Sequence, residues 1–171
     1  GFVVTWTTTG QDTATSTGVY MQAYDATGAK VGVETRVNTF TAGNQGFSQV
    51  SLLASGGFVV TWLSDGQDGS SLGVYMQVYN SAGVAVGAET RVNTFVLGPQ
   101  TNITVTGLLD GSFLITWDSF AQDGSFQGVY AQRFNAAGAV VGVETRVSTT
   151  TLGPQADPEI GLLADGGYII A

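Results

Sequence analysis

Three short loops hold the chain's densest sets of oxygen donors. Each follows a tryptophan, and in each Gln-Asp stands five and six residues after it: Gln11-Asp12 after Trp6, Gln67-Asp68 after Trp62, and Gln122-Asp123 after Trp117. The second loop reads Ser64-Asp-Gly-Gln-Asp-Gly-Ser70 and the third Asp118-Ser-Phe-Ala-Gln-Asp-Gly-Ser125. Carboxylates, amide oxygens and glycine-permitted carbonyls in so short a loop suit a hard cation such as calcium, which takes about 6–8 oxygen ligands. The candidate metal ligands are Asp12, Asp65, Asp68, Asp118 and Asp123, with Asp65 beside Asp68, Asp118 beside Asp123, and Asp12 alone in its loop. The spacing is not that of an EF-hand. The simpler reading is a turn in which Asp and Gln side chains bond their own backbone.

A second set is aromatic and amide-bearing. Tyr20, Tyr75 and Tyr130, with Gln67 and Gln122, are candidate ligand-binding residues, because aromatic rings stack on the apolar faces of sugars. The structural reading of the tyrosines, and of Trp6, Trp62 and Trp117, is core or packing between repeats. Glu34/Arg36, Glu89/Arg91 and Glu144/Arg146 stand two apart and share a strand face; they read as ion pairs within a strand or as a ladder between repeats. Arg133 occupies the column of Ala23 and Val78. On an apolar face it needs a partner, so it either reaches solvent or meets an acid such as Asp118 or Asp157.

Catalytic signals are poor. The chain has no His and no Cys, which removes imidazole acid–base chemistry, thiolate metal sites and disulfides. It carries no Gly-x-Ser-x-Gly, P-loop or dinucleotide fingerprint. Two carboxylates suffice for glycoside hydrolysis, but nearly every prominent acid recurs as a repeat column. A single catalytic centre would have to come from positions where the copies differ. The expectation is therefore a chain that is not an enzyme.

The elements that position these residues come in copies. Gly18-Val-Tyr-Met-Gln-Ala-Tyr-Asp25 returns at Gly73 and at Gly128, and Glu34-Thr-Arg-Val returns at Glu89 and Glu144, each step being 55 residues. A fixed period means one supersecondary unit in tandem, whose apolar faces are buried by its neighbours. Repeats span 1–56, 57–111 and 112–166, and 167–171 begins a fourth, so the chain reads as an excerpt from a longer array. Each copy holds four β-like runs rich in Val, Thr, Tyr, Phe and Trp, separated by glycine turns such as Asp110-Gly111. No run has a helical apolar period. The second and third runs are apolar on both faces: Phe58, Val60 and Trp62 oppose Val59, while Tyr75 and Tyr79 oppose Val74, Met76 and Val78. The fourth is charged, as an exposed edge should be. The expected fold is all-β, in tandem four-stranded antiparallel units resembling β-propeller blades. The alternative is an open row of β-sandwich-like repeats in a fibre.

Composition narrows the partners. Five Lys+Arg against 13 Asp+Glu give a net charge of −8, which argues against nucleic acid and anionic membrane surfaces. No apolar run reaches the ~20 residues of a membrane span.

With these residues in view, the chain resembles the tandem repeats of very large secreted bacterial surface proteins, the repeats-in-toxin-type, type I-secreted adhesins. The resemblance is carried by Gly57-Phe-Val-Val-Thr-Trp62, Gly66-Gln-Asp-Gly69, Gly73-Val-Tyr-Met-Gln77, the Ala-Gly turn and Val92-Asn-Thr94, and it covers essentially the whole chain. The glycine-rich calcium-binding nonapeptide is absent. The resemblance implies export from a Gram-negative cell to the cell surface or an extracellular matrix. The resulting expectation is a non-enzymatic structural or adhesive module whose partners are neighbouring repeats or copies of the same protein. The alternative is a lectin-like propeller with one shallow site per repeat, taking cell-surface glycans.

Overall fold

A computed structural model describes residues 1–171. The chain is all-β, as its residue pattern requires. Strands β1 (Phe2–Thr9), β2 (Thr17–Tyr24) and β3 (Lys30–Arg36) form the first sheet. The second sheet is β4 (Gln45–Leu52), β5 (Phe58–Asp65), β6 (Leu72–Tyr79) and β7 (Ala85–Arg91). The third is β8 (Gln100–Gly107), β9 (Phe113–Phe120), β10 (Gln127–Phe134) and β11 (Val140–Arg146). A fourth consists of β12 (Ile160–Leu162) and β13 (Tyr168–Ile170). Every neighbouring pair is antiparallel and consecutive in sequence. Asp110-Gly111 makes the β8–β9 turn, with Gly111 at φ 87°, a conformation that a side chain would strain.

The sheets stack face to face and approach most closely through their first strands. β4 lies on β1 and β2, β8 lies on β4, β5 and β6, and β12 lies on β8. The last strands β3, β7 and β11 are largely exposed, in keeping with their charge. This is a blade-like stack. The 55-residue unit and the sheet do not share a boundary: residues 57–111 contribute β5, β6 and β7 to one sheet and β8 to the next. Each copy is thereby tied into two sheets.

The core lies between sheets, on the faces that alternation assigns. Val59, Val74, Met76 and Val78 of the second sheet meet Phe113, Ile115, Trp117 and Phe134 of the third. Its other face sends Phe58, Val60, Trp62, Tyr75 and Tyr79 against Val19, Met21 and Val37 of the first. A smaller group, with Leu108, Leu114 and Ala131, packs against Val147, Ile160 and Ile170. Full burial of such a side chain contributes about 1.5–3 kcal/mol. Register places Phe58 opposite Tyr79 and Trp62 opposite Tyr75, so the rings stack with centroids 4.9 and 6.5 Å apart. The same ladder recurs as Phe113–Phe134 and Trp117–Tyr130. Where Ala23 replaces the bulk of Val78, a recess of about 410 Å³ opens between the first and second sheets, lined by Phe2, Met21, Ala23, Tyr24 and Phe58.

Candidate functional site

The loop acids are bound into the protein's own network. In the first copy Asp12 accepts the Tyr20 hydroxyl and the Asn38 amide, both at 2.7 Å, with the Arg36 guanidinium 3.7 Å away. Asp68 and Asp123 each accept a main-chain N–H two residues on, from Ser70 and Ser125 at 3.1 Å. These are the side-chain turns that the simpler reading anticipates. Asp123 also lies 3.8 Å from Arg146. Asp65 closes β5, its N–H donating to the Asn44 carbonyl at 2.9 Å. No group of three or more acidic side chains gathers around these loops.

The glutamates bind between sheets, and their partners are not the arginines two residues on. Glu89 accepts the Gln67 amide at 2.5 Å from its own sheet. Its other oxygen accepts the main-chain N–H and hydroxyl of Thr39, at 2.6 and 2.9 Å, from the preceding sheet. Glu144 repeats this with Gln122 at 2.6 Å and the Thr94 N–H at 2.7 Å. Glu34 accepts only Gln11, at 2.7 Å. Gln67 and Gln122 are therefore parts of an inter-sheet clasp. Arg133 pairs with Asp110 and donates to the Ser112 hydroxyl at 2.9 Å. The acid that meets it is thus in the adjacent hairpin turn, and neither Asp118 nor Asp157.

The sugar-stacking expectation for the tyrosines is corrected by burial. Tyr20, Tyr75 and Tyr130 are 7, 6 and 5 % exposed, and the faces of Tyr75 and Tyr130 lie on tryptophans. No ring face is open to a sugar. Burial, with the charge of Asp68, pushes the Tyr75 hydroxyl up to about 12.

Two of the candidates nonetheless converge. Gln67 and the edge of Tyr75 line a cleft of about 700 Å³ between the second and third sheets, with Asp68, Arg91, Gln132 and Glu144. Here the copies differ. Arg36 and Arg146 lie within ion-pair range of their loop aspartates, whereas Arg91 has no such partner. Asn93, like Asn38, donates to the carbonyl two residues on and to a glutamine, here Phe95 (2.8 Å) and Gln100 (3.0 Å), but it does not also reach Asp68 as Asn38 reaches Asp12. One Asp68 oxygen and the Gln67 amide oxygen are buried without hydrogen-bond partners, as are the matching atoms of Asp123 and Gln122, so the free guanidinium of Arg91 is what sets this cleft apart. The cleft thus presents an uncommitted guanidinium, a carboxylate and an amide, the groups that fix polar ligands in pockets.

A second polar cluster was not anticipated from sequence. Asp118, on β9, is 1 % exposed and stands in the column of Leu63 and Thr7. It faces the fourth sheet. The Asn102 amide donates to Asp118 and to Asp157, both at 2.6 Å, and the Asp157 N–H donates to Asp118 at 3.3 Å. Burial raises the Asp118 carboxyl to about 6. Asn102 and Asp157 share a column with Phe47, and all three have positive φ, at 50°, 60° and 55°. The signal available in the sequence was the acid at position 118, where the other copies carry Leu and Thr.

No family model matches the sequence, and neither does any curated protein. Among solved structures, the fold is similar to that of an endo-arabinase from Bacteroides thetaiotaomicron VPI-5482, with a TM-score of 0.53 at 14 % identity over 91 % of this chain. The chain spans 60 % of the length of that enzyme. The likeness is one of fold, and it corrects the expectation that the chain is not an enzyme: this arrangement of sheets is one on which an enzyme is built, so the absence of familiar catalytic motifs does not set the chain apart from catalysis.

Proposed function

We propose that this chain is a carbohydrate-recognising array of propeller-type blades, with the cleft between the second and third sheets as its saccharide site. The observation that carries the reading is Arg91: its counterparts face aspartates, while it stands free beside an Asp68 oxygen and a Gln67 oxygen that lack partners. A guanidinium beside a carboxylate and an amide can engage neighbouring hydroxyls in two-pronged hydrogen bonds. The fold shared with an endo-arabinase supports the saccharide class and makes arabinan the first ligand to try. The exported, surface-borne setting implied by the repeat resemblance belongs to the same proposal.

The test is calorimetric titration with arabinan and arabino-oligosaccharides, with reducing-end release followed in parallel to read cleavage. Arg91→Ala and Asp68→Asn should each weaken binding at least tenfold, while Arg36→Ala leaves it unchanged. Absence of saccharide binding at millimolar concentration, or binding indifferent to both cleft substitutions, would refute the proposal.

A further inference from the structure

Asp118 and Asp157 place two carboxylate oxygens 2.6 Å from a single amide nitrogen, that of Asn102. No arginine or lysine neutralises either acid: the ion pairs of the chain lie at Asp12, Asp110 and Asp123. Like charges this close disfavour each other's ionised form. One further observation stands apart from the clustering. The second oxygen of Asp118, Oδ1, is buried and accepts no hydrogen bond, on a residue that is 1 % exposed. A buried carboxylate oxygen without a donor is costly, and such atoms in folded proteins point to an ion or water that completes them. Asn102 and Asp157 are exposed, so the cluster is open to solvent on one side.

We infer that Asp118, Asp157 and Asn102 form a site for a hard divalent cation that bridges the third and fourth sheets. Asp118 Oδ1 and the Asp157 carboxylate are the charged ligands. Asn102 supplies its amide oxygen once the amide turns over, and water fills the remaining positions. Two carboxylates and a neutral amide on separate segments make a weak site, in the ~0.1–1 mM range of extracellular calcium modules. The site takes Asp118 from the third post-tryptophan run but none of the Gln-Asp aspartates Asp12, Asp68 and Asp123, and it stands on these three residues whether or not the cleft binds saccharide.

The experiment is titration of the chain with CaCl2 by calorimetry, and with TbCl3 by luminescence sensitised from tryptophan, in sugar-free buffer. One ion per chain is expected, with affinity reduced at least tenfold in Asp118→Asn and in Asp157→Asn and unchanged in Asp123→Asn. Asp157 is exposed, so its variant tests the site even if Asp118→Asn perturbs folding; circular dichroism checks both. Calcium should also raise the melting temperature of the wild type and leave that of Asp157→Asn where it was. Absence of binding at about 10 mM, well above that range, would overturn the inference. So would wild-type affinity in Asp157→Asn, or loss of binding that follows Asp123→Asn and places the ion in the loop.

Discussion

Removing the carboxylate of Glu89 should loosen the second sheet from the first, and the three copies supply internal controls. Glu89 accepts three side-chain or main-chain hydrogen bonds, Glu144 two and Glu34 one. A hydrogen bond to a charged group contributes about 1.5–3 kcal/mol where water is excluded and well under 1 kcal/mol at an open surface. Glu89 and Glu144 are half-buried and Glu34 is exposed. On that basis Glu89→Ala costs about 2–3 kcal/mol, Glu144→Ala about 1–2, and Glu34→Ala no more than about 0.5. For a chain of this size each kcal/mol lowers the melting temperature by about 2–4 °C, so Glu89→Ala should melt roughly 4–12 °C early. Urea melts followed by tryptophan fluorescence give the ranking, because Trp62 sits beside the affected interface. Equal costs for the three glutamates, or a larger cost at Glu34, would show that the inter-sheet bonds to Thr39 and Thr94 do not hold the stack together.

Met76→Ala, which empties a fully buried position between the second and third sheets, should cost about 2–4 kcal/mol in the same melts. Ala23→Val, which fills the recess between the first and second sheets with the residue that β6 already carries at Val78, should add about 0.5–1 kcal/mol. In chelator, the raised carboxyl of Asp118 takes up its proton near pH 6, while the unfolded chain does so near the ordinary 3.8. Stability from this group therefore grows as pH falls from about 6 towards 4, and Asp118→Asn should flatten that rise in a series of melts. Asp25 and Asp110 are held below the ordinary value, mainly by side-chain hydrogen bonds from Thr27 and Ser112. Their contribution has the opposite sign, present above pH 4 and lost in stronger acid, so the melting temperature should fall again below that point.

The faces of the central strands were legible because alternation on a strand is a purely local rule. Val59 and Val60 had to part, and they did. The charged last strands were legible for the same reason. The glutamates were only half legible. Their spacing from arginine suggested a pairing along the strand, but the Gln67 amide and the Thr39 N–H arrive from a loop and from a different sheet, and neither approach is written in spacing. The tyrosines misled because chemistry suited to stacking on sugar is equally suited to stacking on tryptophan. Asp118 and Asp157 were each visible as residues but not as neighbours. They occupy different columns of one copy, 39 residues apart, and only the positive φ of Asn102 in β8 brings its amide between them.

The clasp also has a consequence for synthesis. The carboxylate that secures a sheet to its predecessor sits on that sheet's last strand, β7 or β11, while the threonine it grips lies behind, just after the last strand of the sheet before. A nascent chain emerging from the ribosome can therefore hold a half-made sheet only through its early strands, by bonds such as Thr17 to the Gln45 carbonyl and Ser48 to Thr5. Earlier strands can collapse on the preceding face, but the tie closes only when all four strands have been laid down, so assembly advances in whole sheets from the amino terminus, in keeping with the unit-by-unit folding of repeat arrays.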